Sequence, residues 1–384
     1  MKFLKKLLIT LITIILLTIA LAYIFKVDYL LKAVRTIYLK GHTTAYLEDY
    51  KQFDNNTISA ATKPQPWPLH SDYNKAYQTL ELEKMHKEIG TVAFLVIKND
   101  SIWHESYYDG FNKDGKSNSF SMAKSIVSAS LGRAIMDGEI KSLDQKVRDF
   151  FPEITGPYAD QLTVGDLSSM SSGLDWDESY YSPFSVTTRA YFDEDLSGLM
   201  LGIQVVEEPG KSYKYLSGAT QLLAMVIEKA TGEKMADYVS KKFWQPMGAE
   251  NDALWQVDRP DGIEKAYCCI ASNARDFARF GKLYNQKGNW NGQQLLDTAF
   301  VERSIKPRFQ ESPEYGYGWW LSNHRNKDIF YMRGHLGQYV IVIPEDELII
   351  VRLGHQKGFQ SQSSPHSDDF FTIVDGVYQM LGQN

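Results

Sequence analysis

Apolar and polar positions along this chain change their period several times, and each change predicts an element. An uncharged, apolar run from Leu7 to Phe25 follows Lys2, Lys5 and Lys6 and is long enough to cross a bilayer as a helix. Thr91 to Lys98 is rich in β-branched and apolar residues, Asn99-Asp100 supplies a turn, and Ser101 to Tyr108 reads as the second arm of a β-hairpin. Helical spacing recurs over Ser121 to Asp137, stopped by Gly138, over Thr220 to Ala230, stopped by Gly232, over Lys234 to Phe243 and over Ala274 to Asn285. Strand patterns return at Ile329 to Met332, Gln338 to Ile343 and Leu348 to Leu353, with a Pro344-Glu345-Asp346-Glu347 turn between the last two. An amphipathic helix from about Asp369 to Leu381 follows.

Strands at both ends with helices between them predict an α+β fold, an α/β sandwich. Its antiparallel sheet is formed from the N- and C-terminal parts, flanked by helices, and carries a mostly helical inserted subdomain. Segregated hairpins argue against a doubly wound sheet. The expected organisation is a short cytoplasmic tail (1–6), a transmembrane signal anchor (7–25), a juxtamembrane stalk or arm (26–75) ending in Pro64-Gln65-Pro66-Trp67-Pro68, and a main domain (76–384). The short tail favours an N-inside orientation with the domain exported to the periplasmic side of the membrane. Ala20-Leu21-Ala22 has the small-x-small shape of a cleavage site, so a cleaved, secreted form is the alternative.

Composition narrows the function. A net charge of -6 and the absence of any Lys/Arg-rich run beyond the N-terminus leave no electrostatic footprint for nucleic acid. The only cysteines, Cys268 and Cys269, are adjacent. Neighbouring Cα atoms stand closer than an ordinary disulfide needs, so both are expected as buried small residues, with no disulfide framework. Eight scattered histidines form no metal-binding helical pair, and no catalytic metal is expected.

The candidate chemistry begins with Ser121-Met122-Ala123-Lys124, the chain's only Ser-x-x-Lys. A serine hydroxyl holds its proton at neutral pH and needs an adjacent base, which a lysine with a lowered pKa can supply from the same helix face. About one or two chance matches are expected in a chain of this size, so the motif counts only if partners exist. Tyr215-Leu216-Ser217 lies just before a helix, and Arg333-Gly334-His335-Leu336-Gly337-Gln338 leads into a strand, its glycines suited to close approach of a ligand.

In these three segments, in this order, the chain resembles the serine β-lactamase superfamily, of class C-like and penicillin-binding-protein-like type. That branch also holds esterases, D-amino peptidases and 6-aminohexanoate-dimer hydrolases. Ser121 and Lys124 fall on the family's Ser-x-x-Lys, Tyr215-Leu216-Ser217 on its Tyr-x-Asn or Tyr-x-Ser element, and His335-Leu336-Gly337 on its Lys/His-x-Gly strand. Asp175 to Tyr181 and Tyr315 to Trp320 look most like the nylon-oligomer hydrolase and family VIII-type esterase members. The resemblance implies catalysis by Ser121, Lys124 and Tyr215, with substrate and oxyanion contacts from Ser217, His335, Gly337 and Gln338. No cofactor is required.

Two departures bear on the substrate. Ser217 stands where β-lactamases usually carry asparagine, and His335 where many carry lysine, which turns a permanent charge into a pH-dependent one. The expected function is therefore a serine hydrolase acting on a small ester, amide or short peptide through an acyl-enzyme on Ser121. The alternatives are a β-lactamase or D-Ala-D-Ala carboxypeptidase and a penicillin- or peptide-binding sensor without turnover. Either Lys124 or Tyr215 can be the immediate base, since a neighbouring lysine charge would lower the phenol's pKa. Tyr180, Tyr181, Trp319 and Trp320 are candidates for lining the acyl pocket.

Overall fold

In the computed structural model, which describes residues 1–383, the hairpin forms where the β-branched, apolar run and its turn predict it. Thr91–Lys98 pairs antiparallel with Ser101–Tyr107. Asn99 and Asp100 both take positive φ, 49° and 58°, the backbone of a type I′ turn whose twist matches its flanking strands. Distant parts of the chain complete the sheet, as expected: six antiparallel strands run in the order Ser101–Tyr107, Thr91–Lys98, Leu348–Gly354, Tyr339–Ile343, Ile329–Arg333, Trp320–Ser322. The fold is α+β.

Side-chain alternation divides this sheet into two packing faces. Phe94, Val96, Ile341 and Ile350 meet Leu82 of the Leu80–Glu88 helix and Phe370, Ile373 and Val377 of the Asp368–Met380 helix. Leu95, Ile97, Val340 and Val351 point the other way, into the larger core with Ile126, Leu222, Phe277 and Phe280. The Ala274–Asn285 helix lies close on this second face because Gly281 has no side chain: a Cβ there would stand 2.9 Å from Val340 Cγ1.

Helix ends depart from the periodicity where local geometry overrides it. The helix expected from Ser121 opens as a 3₁₀ turn, Phe120–Met122, and becomes α-helical over Ala123–Met136. The helix expected from Thr220 starts earlier, as Ser217–Thr231, and stops at left-handed Gly232. Lys234 to Phe243 resolves into Met235–Val239 followed by a π turn, Ser240–Trp244.

The Lys2–Ile24 helix is long and apolar enough to cross a membrane and is almost wholly unpacked against the rest of the chain. Residues 26–75 pack on the main domain. Asn55–Ile58 pairs with Ala253–Gln256 in a second, four-stranded sheet that also holds Ile270–Ser272 and Ser117–Asn118. The helix Tyr29–Thr36 packs Tyr29 and Ala33 with Ile37 and Phe192. Cys268 and Cys269 are buried, as expected, but they are joined to each other as a disulfide. The expectation that adjacent cysteines would not pair is thus corrected: their Cα atoms keep the ordinary neighbour spacing, 3.7 Å, and the pairing goes with a positive φ of 80° at Cys269.

Candidate active site

Ser121 is held on a strained, buttressed turn. Phe120 before it has a positive φ of 45°, and its N–H donates to Asn118 Oδ1 at 2.9 Å. The Asn118 amide donates in turn to the buried Asp49 carboxylate at 2.9 Å. Because side chains three apart eclipse in a 3₁₀ turn, Lys124 reaches back to Ser121, with Nζ 3.0 Å from Oγ. The same Nζ donates to the Tyr267 carbonyl at 2.7 Å. Lys124 is only 2% exposed, and burial pushes its pKa down to about 8, an effect partly opposed by the negative charge of Glu178.

Tyr215 arrives from the loop before the Ser217–Thr231 helix. Its ring packs 5.5 Å from Trp320 and edge-on to Tyr315 at 6.1 Å, and Lys124 Nζ stands 5.2 Å from its centroid. Burial raises the phenol's pKa, Glu178 raises it further, and hydrogen bonding to Ser121 and the charge of Arg333 oppose them. The expectation that lysine charge would make Tyr215 more acidic is therefore corrected: desolvation dominates, and the phenol keeps its proton.

Ser217 is the first residue of its helix, and both its N–H and its hydroxyl are taken by the Glu178 carboxylate, at 2.6 and 2.5 Å. A carboxylate is favoured at a helix N-terminus, where backbone N–H groups lack intrahelical partners. Tyr180 donates its hydroxyl to the same carboxylate. Ser217 thus lies in the site with its hydroxyl proton directed to Glu178.

His335 lies 4.7 Å from the Tyr180 ring and 6.3 Å from Phe120, centroid to centroid. Burial pushes its pKa down to about 4, helped by Lys357, Arg333 and Lys124, so it is neutral throughout the physiological range. The Gln338 side chain is structural: its amide donates to the Gly354 carbonyl at 2.8 Å and its Oε1 accepts from Leu336 N–H at 3.0 Å. Its backbone N–H and that of Ser121 have no acceptor among the described residues. The glycines of this segment are closely packed. A Cβ on Gly334 would fall 2.5 Å from the Ser119 carbonyl, so the segment lies directly against the Ser121 turn, and Gly337 has a φ of +80°.

Two cavities meet at Ser121. One, of about 370 Å³, includes Phe120, Tyr180, Tyr181, Ser217 and His335 and is walled on its far side by residues 30–45. The other, of about 230 Å³, is lined by Tyr215, Trp320, Arg333, His335, Lys357 and Gln360. Tyr180, Tyr181 and Trp320 thus reach the cavities, whereas Trp319 is wholly buried against Tyr284 and Phe330.

A Beta-lactamase family profile matches residues 78–366, three quarters of the chain. The chain belongs to the Beta-lactamase family. Among its relatives is the 6-aminohexanoate-dimer hydrolase of Paenarthrobacter ureafaciens, 27% identical over 311 residues, covering 73% of this chain and 79% of that one. A Bacillus anthracis structure provisionally named for the same activity superposes with a TM-score of 0.69 at 20% identity, covering 91% of this chain and 93% of its own. A family VIII carboxylesterase structure gives 0.61 at 15% identity, with 78% and 96% covered. This Beta-lactamase family chain thus has a hydrolase among its sequence relatives and shares its fold with the carboxylesterase.

The motifs gave no role to Glu178 or to Arg333, and did not disclose Lys357 or the Tyr267 carbonyl. Glu178 lies within Asp175 to Tyr181, which had been singled out only for its look, and nothing local marks a carboxylate whose partner is 39 residues away.

Proposed function

We propose that this chain is a serine hydrolase that cleaves an ester or amide bond through an acyl-enzyme on Ser121. The observation that carries the reading is the 3.0 Å contact between Ser121 Oγ and a lysine nitrogen whose burial lowers its pKa to about 8. In its neutral form, Lys124 takes the hydroxyl proton as Oγ attacks the substrate carbonyl. In this reading the oxyanion that forms accepts from the backbone N–H groups of Ser121 and Gln338, which have no other acceptor among the described residues; such donors are worth about 3 to 4 kcal/mol each. Tyr215, kept protonated by burial, donates a proton to the leaving oxygen or nitrogen and regains one from the Lys124 ammonium. Water then attacks the acyl carbonyl as its proton passes to Lys124, and the Lys124 ammonium returns that proton to Ser121 Oγ as the acyl–Oγ bond breaks, which releases the acid and restores the free hydroxyl and the neutral amine. We read the Lys2–Ile24 helix as a signal anchor holding the domain on the extracytoplasmic side.

The cationic cavity with Arg333 and Lys357 supports a second reading, a cell-wall peptidase or β-lactamase that seats a substrate carboxylate there. The commitment of Ser217 to Glu178 weighs against it. A fluorophosphonate probe should label the wild-type protein at one residue and fail to label Ser121→Ala. Labelling that survives the substitution discards the assignment, and turnover of nitrocefin or a D-Ala-D-Ala peptide in preference to simple esters favours the second reading.

A further inference from the structure

The far wall of the larger cavity is the segment that directly follows the apolar helix. Leu30, Ala33, Val34, Ile37 and Tyr38 face it, and only residues 25–28 separate Lys2–Ile24 from Tyr29–Thr36. This wall is built into the fold. Tyr29 donates its hydroxyl to the Pro183 carbonyl at 3.0 Å, and Lys32 Nζ donates to the Asp258 carbonyl at 3.0 Å. Ala33 and Ile37 are buried against Phe192. Val34 and Tyr38 on this wall remain 44% and 60% exposed, and neighbouring Leu39 75%, so apolar surface is left open on this wall, in the segment that follows the helix that can enter a bilayer. Amphipathic segments with aromatic and aliphatic residues on one face sit at such interfaces.

The two cavities are also chemically unlike. Tyr215 lines the smaller one and not the larger, and under the proposed mechanism the leaving group must lie beside that phenol. The acyl group then extends into the apolar cavity, and the leaving group meets Arg333 and Lys357. Arg333 is anchored to the Pro365 carbonyl at 2.7 Å and to Gln360 Oε1 at 2.6 Å, while Lys357 reaches Gln360 Oε1 at 3.1 Å.

We infer that the substrate is an amphiphile, an ester or amide of a medium-length apolar acyl chain whose leaving group carries a negative charge, and that the juxtamembrane helix Tyr29–Thr36 forms its acyl-binding wall. This inference rests on the serine hydrolase reading.

The test uses the full chain in lipid nanodiscs with p-nitrophenyl acetate, butyrate, hexanoate and octanoate. The expected kcat/KM rises about four-fold per added methylene until the cavity is full. The octanoate-to-acetate ratio should be on the order of a hundred-fold or more, and it should fall at least ten-fold in Val34→Asp and in Tyr38→Ser. Both positions are surface-exposed, and the ratio is independent of how much protein folds. Wild type should also prefer 4-carboxyphenyl octanoate to phenyl octanoate, a preference lost in Lys357→Gln. A flat chain-length profile, or a ratio unchanged in both wall variants, overturns the acyl-wall assignment. Equal turnover of the two phenyl esters overturns the charged leaving group. Acetate hydrolysis that persists in Ser121→Ala instead overturns the underlying serine reading.

Discussion

If Lys124 is the base, its neutral fraction sets the rate of acylation, and its pKa of about 8 fixes the shape of the pH profile. The neutral fraction is roughly 1% at pH 6, a tenth at pH 7 and half at pH 8, so kcat/KM for a simple ester should climb about fifty-fold between pH 6 and 8 and then level off. Removing the Glu178 charge tests the cause. That carboxylate favours the ammonium form, so Glu178→Gln should move the rising limb to lower pH, while the glutamine carbonyl can still accept from the Ser217 N–H at the helix start. The assay is kcat/KM for p-nitrophenyl acetate from pH 5.5 to 9.5 in wild type and Glu178→Gln, corrected for spontaneous hydrolysis. His335, pushed down to about 4, contributes no break near pH 6.5. A profile flat across this range, a break near 6.5 abolished by His335→Gln, or a limb that moves to higher pH in Glu178→Gln would refute the reasoning.

Three further outcomes are expected. A lysine whose native pKa lies below its unfolded value of 10.5 destabilises the fold while protonated, an effect complete below pH 8 and fading as pH rises toward 10.5. Inactive Lys124→Met should therefore lose about 2 to 3 kcal/mol of stability relative to wild type between pH 7 and pH 10, read by urea unfolding; no pH-dependent difference would count against a buried, strained ammonium. Gly334→Ala places a Cβ 2.5 Å from the Ser119 carbonyl and should cost about 1 to 3 kcal/mol in stability together with a fall in kcat, checked by thermal melting and ester turnover. Asp49→Ala leaves Asn118 and Gln256, each 2.9 Å from that carboxylate, without their buried acceptor. It should lower stability by about 1 to 3 kcal/mol and slow acylation, since Asn118 holds the Phe120 N–H; an unchanged kcat would separate the arm from the Ser121 turn.

Much of this was legible in the chain, and the exceptions have physical causes. The hairpin was readable because β-branched, apolar content and a two-residue turn act within a few positions, and Ala274–Asn285 matched its pattern because Asn273 caps it, accepting from Asp276 N–H. The four-stranded sheet was invisible, for its strands have two to four residues each, too few to show a period, and their pairing is set by distant segments. The Ser217–Thr231 helix was read three residues late because Leu216 supplies no side-chain cap; a carboxylate from elsewhere in the chain fills that place. Ser121, Lys124, Tyr215 and His335 were found as motifs, and the structure brings them together around one cleft. The directions of the His335 and Tyr215 pKa shifts were not accessible, because desolvation depends on burial, which no spacing encodes.

The central claim is tested most directly by stopping the reaction with a slowly deacylated ester by acid quench and mapping the adduct by peptide mass spectrometry. The account predicts a stoichiometric acyl group on Ser121, absent in Ser121→Ala. An acyl group on another residue, or steady turnover with no covalent adduct, would contradict it.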